Sequence, residues 1–275
     1  MKVKDIMTKE PLVAEVPSSR EDVLRLFAKF NISGAPVVNR DKELVGIITR
    51  KDIFRNKEEE QVALIMTKDP ISVKPEDDIK KASKILYEKK IHRLPVVKNK
   101  KVVGILTAKD LLKILAQSKK DFYVPIKSCV PIYISTPLLL AMEIINISGE
   151  YALPVVDKDC KLVGIVTDRD IFKAVKVGVK SAIATLGIGS DEDPWTWEGL
   201  RNIMKFYYDI SKVHLPDVPV AKVMTKEVIT ATTFTKVGEA AKNMVDLDLN
   251  QLPVITRERK LLGMVYDLDL LKYLK

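Results

Sequence analysis

The sequence predicts an α/β protein built from four copies of one helix–strand–strand–helix unit, the units pairing two by two. Three observations carry this. A seven-residue phrase recurs as GIITRKD (46–52), GILTAKD (104–110), GIVTDRD (164–170) and, altered, GMVYDLD (263–269). About ten residues before each copy stands an apolar run around a proline: APVV, LPVV, LPVV and LPVI, with Pro36, Pro95, Pro154 and Pro253 spaced 59, 59 and 99 apart. A helix-spaced apolar pattern precedes the run. A repeat of this length is a supersecondary module, and one short sheet with two helices is too small to bury both its faces alone, so the units should pack in pairs.

In the first unit, SSREDVLRLFAKF (18–30) sets Val23, Leu24, Leu26, Phe27 and Phe30 at helical spacing, with Ser18 and Glu21 placed as a capping box. APVVN and ELVGIIT, joined by the turn-prone RDK, predict two strands. The second helix opens at the phrase itself, as in TRKDIFRN and TAKDLLKIL. The repeats are expected at 1–58, 59–118, 122–176 and 219–275, the first two forming one pair and the last two another, with polar AQSKKD (116–121) as the linker.

The third interval is longer and defines an insertion at 177–218. It holds Trp195 and Trp197, then LRNIMKFYYDISKV, whose Leu200, Ile203, Met204, Tyr207 and Ile210 predict an amphipathic helix. This reads as an elaborated connection packed on the second pair, with a docking element as the alternative. GIGS at 187–190 lacks the Lys-Ser/Thr that completes a phosphate loop.

Composition narrows the function. Of 275 residues, 47% are hydrophobic and 30% charged, the balance of a soluble globular protein. No apolar run of roughly 18 residues and no signal-peptide core occurs, so a cytoplasmic protein without a membrane span is expected. Cys129 and Cys160 lack metal-site spacing and are expected as free thiols. The net charge of +9 comes from 46 basic against 37 acidic residues interspersed along the chain, a Lys/Glu-rich surface rather than a nucleic-acid stripe. Helix-turn-helix, zinc-finger and RNP signals are missing, so nucleic acid is disfavoured as a partner. Two histidines, His92 and His214, and no nucleophile–base, metal-cluster or paired-carboxylate motif leave little material for catalysis, and no enzyme is expected.

The phrase itself has two readings. Thr49 with Asp52, Thr107 with Asp110 and Thr167 with Asp170 stand three apart at strand-to-helix junctions. Such pairs are close to capping boxes, which satisfy the orphan amides of a first helical turn. In the fourth copy Tyr266 replaces the Thr while Asp269 stays, which favours a second task for the carboxylate. A helix N-terminus favours phosphate, and a carboxylate one turn along can accept both hydroxyls of a ribose; phosphate and diol at one junction describe a ribonucleotide. His92 and Arg93, directly before the second β pair, supply a cationic complement. The phrase glycine would let a ligand or a neighbouring strand approach the backbone.

The Met-Thr openings (Met7-Thr8, Met66-Thr67, Met224-Thr225), the X-Pro-Val-Val runs and the Gly-x-x-Thr-x-x-Asp phrase together resemble the cystathionine β-synthase (CBS) domain, over essentially the whole chain. With KIHRLPVV in the second repeat, the arrangement is similar to an archaeal counterpart of the gamma regulatory subunit of AMP-activated protein kinase. The resemblance implies four CBS repeats pairing into two Bateman modules that form a flat disk, and a non-catalytic, energy-sensing regulatory role with AMP, ADP or ATP as ligands and no cofactor or metal. It implies ribose contacts at Asp52, Asp110, Asp170 and Asp269, and phosphate contacts at Thr49, Thr107, Thr167, His92 and Arg93. Adenine would lie around Gly34, Ala35 and Pro36, and around Ile71 and Ser72. Expected partners are adenine nucleotides, a regulated enzyme or kinase in trans, and a second copy stacked as a homodimer. The alternatives on the same fold are an S-adenosylmethionine or NAD sensor and a nucleic-acid-associated protein. Two departures stand out: KSCVPIYIS opens repeat three without Met-Thr, and Tyr266 stands where repeat four should carry a Thr.

Overall fold

The computed structural model describes residues 1–30, 32–55, 59–118, 121–167, 169–171, 174 and 216–274. Residues 177–215 of the expected insertion, with Trp195, Trp197, His214 and the helix expected from Leu200, lie outside that set. Contacts divide the chain into two compact units: Met1–Pro125 with Lys236–Asn250 and Tyr266–Lys275, and Ile126–Thr235 with Gln251–Val265.

In the first unit, repeat one gives β1 (Thr8–Lys9), β2 (Ala14–Glu15), α1 (Arg20–Phe30), β3 (Gly34–Val38), β4 (Leu44–Thr49) and α2 (Arg50–Arg55). Repeat two gives α3 (Val62–Ile65), β5 (Thr67–Lys68), α4 (Ile79–Lys89), β6 (Arg93–Lys98), β7 (Lys101–Thr107) and α5 (Ala108–Ala116). The second unit holds β8 (Ile132–Tyr133), α6 (Leu138–Ser148), β9 (Ala152–Val156) and β10 (Leu162–Thr167) of repeat three. Repeat four supplies α7 (Val237–Asp246), β11 (Gln251–Ile255), β12 (Leu261–Tyr266) and α8 (Asp267–Leu270). The expected helix–strand–strand order thus holds in each repeat. In repeat four, α7 and α8 belong to the first unit and β11 with Leu261–Val265 to the second.

The sheets run β2-β3-β4-β5 and β1-β7-β6 in the first unit, and β10-β9-β8 and β11-β12 in the second. The central hairpins are in register across the phrase: Gly34 faces Thr49, and Arg93 faces Thr107. Two of the Met-Thr openings lead into short strands, and each pairs with the other repeat. β1 of repeat one runs against β7 of repeat two (Thr8 with Ile105, Lys9 with Gly104), and β5 of repeat two against β4 of repeat one (Thr67 with Ile47, Lys68 with Gly46). Thr225 bridges Ile165, and Lys127 bridges Met264, in the same way in the second unit.

This exchange explains the phrase glycine. A Cβ on Gly46, Gly104 or Gly164 would press into the sulfur of Met66, Met7 or Met224, and would meet the carbonyl oxygen of the following Thr at 3.1, 3.0 and 3.1 Å. The approaching group is a neighbouring strand, one of the two outcomes expected for it. Repeat three, without Met-Thr, uses Ile126 and Lys127 instead: Lys127 N–H donates to the Met264 carbonyl at 2.8 Å and the Lys127 carbonyl accepts the Met264 N–H at 2.9 Å, directly over Gly263.

The cap of helix α1 lies one residue later than expected. Ser19, not Ser18, is the N-cap: its hydroxyl and N–H donate to Asp22 Oδ2 at 2.7 and 3.0 Å, and Asp22 N–H donates back to Ser19 Oγ at 3.1 Å. Glu21 instead pairs with Arg25 one turn on. Both Ser-x-x-acid frames fit the motif, and the shorter Asp side chain forms the closed ring. The two Ser19 hydrogen bonds hold the Asp22 carboxyl below the usual carboxylate range.

Repeat one packs Val23 and Phe27 of α1 on Ala35, Val37 and Ile48 of the sheet, with Ile53, Val62 and Ile65 closing the cluster. A second layer of the first unit is helical, with α4 and α5 of repeat two against α7 and α8 of repeat four. Leu111, Leu112 and Leu115 of α5 are almost fully buried, as are Ala240, Ala241 and Met244 of α7. Small residues let the axes close up: a Cβ on Gly238 would lie 3.2 Å from the Ser118 carbonyl. In the second unit Leu138 and Ala141 of α6 pack on Leu153, Val155 and Val166, with Val220 alongside.

Candidate functional site

The four phrases lie where a strand gives way to a helix. In three of them the Thr and Asp form the same closed ring. Thr49 N–H and Oγ1–H donate to Asp52 Oδ2 at 2.8 and 2.6 Å, and Asp52 N–H donates to Thr49 Oγ1 at 3.4 Å. At Thr107 and Asp110 the distances are 3.0, 2.7 and 3.4 Å. At Thr167 and Asp170 they are 3.0, 2.7 and 3.3 Å. The capping reading therefore holds at three junctions, with two orphan donors satisfied reciprocally.

The ring spends only part of each side chain. Both bonds from the Thr reach Oδ2, and the hydroxyl proton is committed to that oxygen. Oδ1 lies outside the ring: that of Asp110 is 3.1 Å from Lys113 Nζ, and that of Asp170 is 3.5 Å from Thr225 Oγ1. Asp110 is buried, while Asp52 and Asp170 are half-buried.

The fourth junction differs. Tyr266 is the N-cap of α8 and makes no side-chain cap hydrogen bond. Asp269 is buried, its Oδ1 has no hydrogen-bond partner, and Lys90 Nζ stands 3.6 Å away. The carboxylate kept without its Thr turns its Oδ1 toward a lysine of repeat two. Lys90 itself is the C-cap of α4 in left-handed backbone, which turns the chain from the helix into the His92–Arg93 corner.

Arg93 opens β6 and reaches into repeat one. Its Nη2 donates to Ser33 Oγ at 2.8 Å, and its guanidinium covers Gly34 so closely that a Cβ there would displace it. Arg93 and Gly34 are equivalent positions of the two repeats, so a side chain on one side of the pair is accommodated by its absence on the other. Since Gly34 faces Thr49 and Arg93 faces Thr107, this contact joins the first two junctions. Ala35 and Pro36 are buried in β3. Ile71 and Ser72 are exposed just ahead of Val73, whose N–H donates to the Pro95 carbonyl at 3.0 Å.

His92 sits at the mouth of α5, its carbonyl accepting the Ala108 N–H at 2.9 Å. Its Nε2 lies 3.2 Å from Asp267 Oδ1 of repeat four. Asp267, Lys90 and Ser33 were not singled out by the sequence. The two carboxylates of YDLD at one helix start were the readable signal for Asp267; the partners of Lys90 and Ser33 depend on which repeats meet. Among the described residues no group of three or more His, Cys, Asp or Glu is placed to hold a metal. Cys129 and Cys160 are free, and burial together with the nearby Glu150 pushes the Cys129 thiol up. No helix among the described residues is long and apolar enough to cross a membrane.

Known proteins share this organisation. The CBS domain family matches four stretches, residues 3–59, 61–117, 120–177 and 220–275. A crystal structure of an uncharacterised conserved protein from Pyrococcus horikoshii is 33% identical, with all of both chains covered and a TM-score of 0.67. The structure of protein MJ1225 from Methanocaldococcus jannaschii, described as a candidate archaeal homolog of g-AMPK, superposes with a TM-score of 0.77 over all of both chains at 23% identity, a likeness of fold. The inosine-5'-monophosphate dehydrogenase of Korarchaeum cryptofilum is 40% identical over 111 residues, which are 40% of this chain and 22% of that enzyme.

Proposed function

The chain belongs to the CBS-domain family, with four copies of the domain, and from that premise we propose that it is a non-catalytic regulatory protein that senses adenine nucleotides, AMP against ADP and ATP. The observation that carries this reading is the divided use of the phrase carboxylate. The cap engages Oδ2 of Asp52, Asp110 and Asp170, so a ribose that competes for Oδ1, which faces Lys113 at Asp110 and Thr225 at Asp170, leaves the helix start made.

In this reading Asp52, Asp110 and Asp170 accept the diol, and Asp269, committed to Lys90, is the weakest of the four sites. Phosphate is taken by His92 and Arg93 beside the start of α5. Thr49, Thr107 and Thr167 act chiefly by holding the turn, because their hydroxyl protons already serve the Asp. Adenine lies against strand backbone near Gly34, Ala35 and Pro36, or near Ile71 and Ser72. The protein works in the cytoplasm on an enzyme or kinase in trans, and two copies stack as a homodimer. Nucleotide exchange shifts the partner only by the difference in affinity between its two states.

Calorimetry on nucleotide-stripped protein tests this with AMP, ADP, ATP, S-adenosylmethionine and NAD. The decisive ligand is 2′-deoxy-AMP, which removes a hydroxyl from the ligand and leaves the cap intact. AMP is expected to bind at least tenfold more tightly than its deoxy form, and equal affinities would refute the ribose assignment. S-adenosylmethionine binding more tightly than every phosphate ligand would replace the adenylate reading with the sulfonium one.

A further inference from the structure

The corner between α4 and β6 carries two basic side chains, Lys90 and His92, and each faces an acid of α8. His92 Nε2 is 3.2 Å from Asp267 Oδ1, and Lys90 Nζ is 3.6 Å from Asp269 Oδ1. Both acids are only 4% exposed. A carboxylate that far from water is costly unless its charge is answered. Asp267 Oδ1 is answered twice, by the imidazole and by the Leu268 N–H at 2.7 Å. Its backbone is pinned as well, since its N–H donates to the Asn250 carbonyl at 2.8 Å. Asp267 is therefore a fixed carboxylate, held against the His92 imidazole beside the start of α5.

We infer that Asp267 is an internal anion that engages His92 and sets how many phosphate groups the neighbouring site accepts. The ligand side of this rests on the nucleotide reading above. A monophosphate whose ribose is held at Asp110 and which stops short of His92 need not disturb the pair. A di- or triphosphate extending toward His92 must displace the Asp267 carboxylate or lie beside it, with Asp269 close by. A second anion brought against a buried carboxylate is repelled by it. Discrimination then comes from a repulsive element set against the more charged ligand. Lys90 is spent on Asp269 and Lys109 on Asp248, 2.6 Å away, so the lysines of this corner already have acidic partners to satisfy.

The test compares the full-length wild type with D267N, H92Q and the double variant, titrated with AMP and ATP. D267N is expected to tighten ATP about tenfold while AMP changes less than about twofold, and the gain should vanish when H92Q is added. An unchanged ATP-to-AMP ratio in D267N overturns the inference. Inorganic pyrophosphate, followed through the two imidazole resonances of the protein and assigned with H214Q, separates the inference from the nucleotide reading. If neither nucleotide binds, that reading fails, while a His92 resonance that responds to pyrophosphate at lower concentration in D267N than in wild type still supports the role of Asp267, and equal responses overturn it. Should D267N not fold, the wild type decides: pyrophosphate must move His92 and leave His214 in place, and a silent His92 refutes the proposal.

Discussion

At the phrase, one carboxylate serves two oxygens to two ends. Oδ2 of Asp110 closes the start of α5 through Thr107, and Oδ1 stays outside the ring beside Lys113. The stability and ligand tasks can therefore be separated by substitution. Thr107→Val removes the hydroxyl that donates to Asp110 and accepts its N–H. It is expected to cost about 1 kcal/mol, the usual worth of an N-cap side chain, read as a shift in the urea midpoint. Nucleotide affinity should fall by less than about threefold, because the diol oxygen remains; a loss as large as that of Asp110→Asn would make the Thr a ligand group rather than a cap. The same ring was legible in the sequence as Thr-x-x-Asp, but whether it closes could not be read there. Ser18 shows the limit: two overlapping Ser-x-x-acid frames competed, and side-chain length chose Ser19 with Asp22.

Among the elements, the short opening strands do more than their length suggests. β1 and β5 are two residues each, and each is laid on the sheet of the other repeat, with Met7 or Met66 seated on a glycine. Gly104→Ala drives a methyl into the Met7 sulfur and within 3.0 Å of the Thr8 carbonyl. Overpacking of this kind costs about 1–3 kcal/mol. In a Met7→Ala background the cost should drop but not disappear, since the backbone carbonyl cannot retreat as a side chain can. A double-mutant cycle by thermal unfolding measures the difference, and strict additivity would mean that Met7 does not reach Gly104 in solution. The helix and hairpin of each repeat were readable from periodicity and turn residues. The opening strands were not, because two residues carry no period.

Over the whole molecule, the first unit is held by apolar packing between α5 and α7 and edged by charge pairs. Leu111 is fully buried, whereas Lys109 and Asp248 are 40% and 55% exposed as side chains. Leu111→Ala should cost about 2–5 kcal/mol, and Lys109→Ala less than about 1 kcal/mol, shrinking further at high salt. Chemical denaturation at two ionic strengths distinguishes them; a larger effect for Lys109 would mean that electrostatics, not packing, holds repeat four to repeat two. By itself the sequence determined the four repeats, the helix and hairpin of each, and the Thr-x-x-Asp pairs that cap three helices, because each depends on spacing along a short stretch. Only the tertiary structure decided that the opening strands are exchanged, that Arg93 lies over Gly34, that α7 and α8 pack on repeat two, and that Asp267 meets His92. Those contacts join residues from about 20 to 175 positions apart, and which repeat faces which is settled by complementary packing of whole surfaces, for which no local pattern exists.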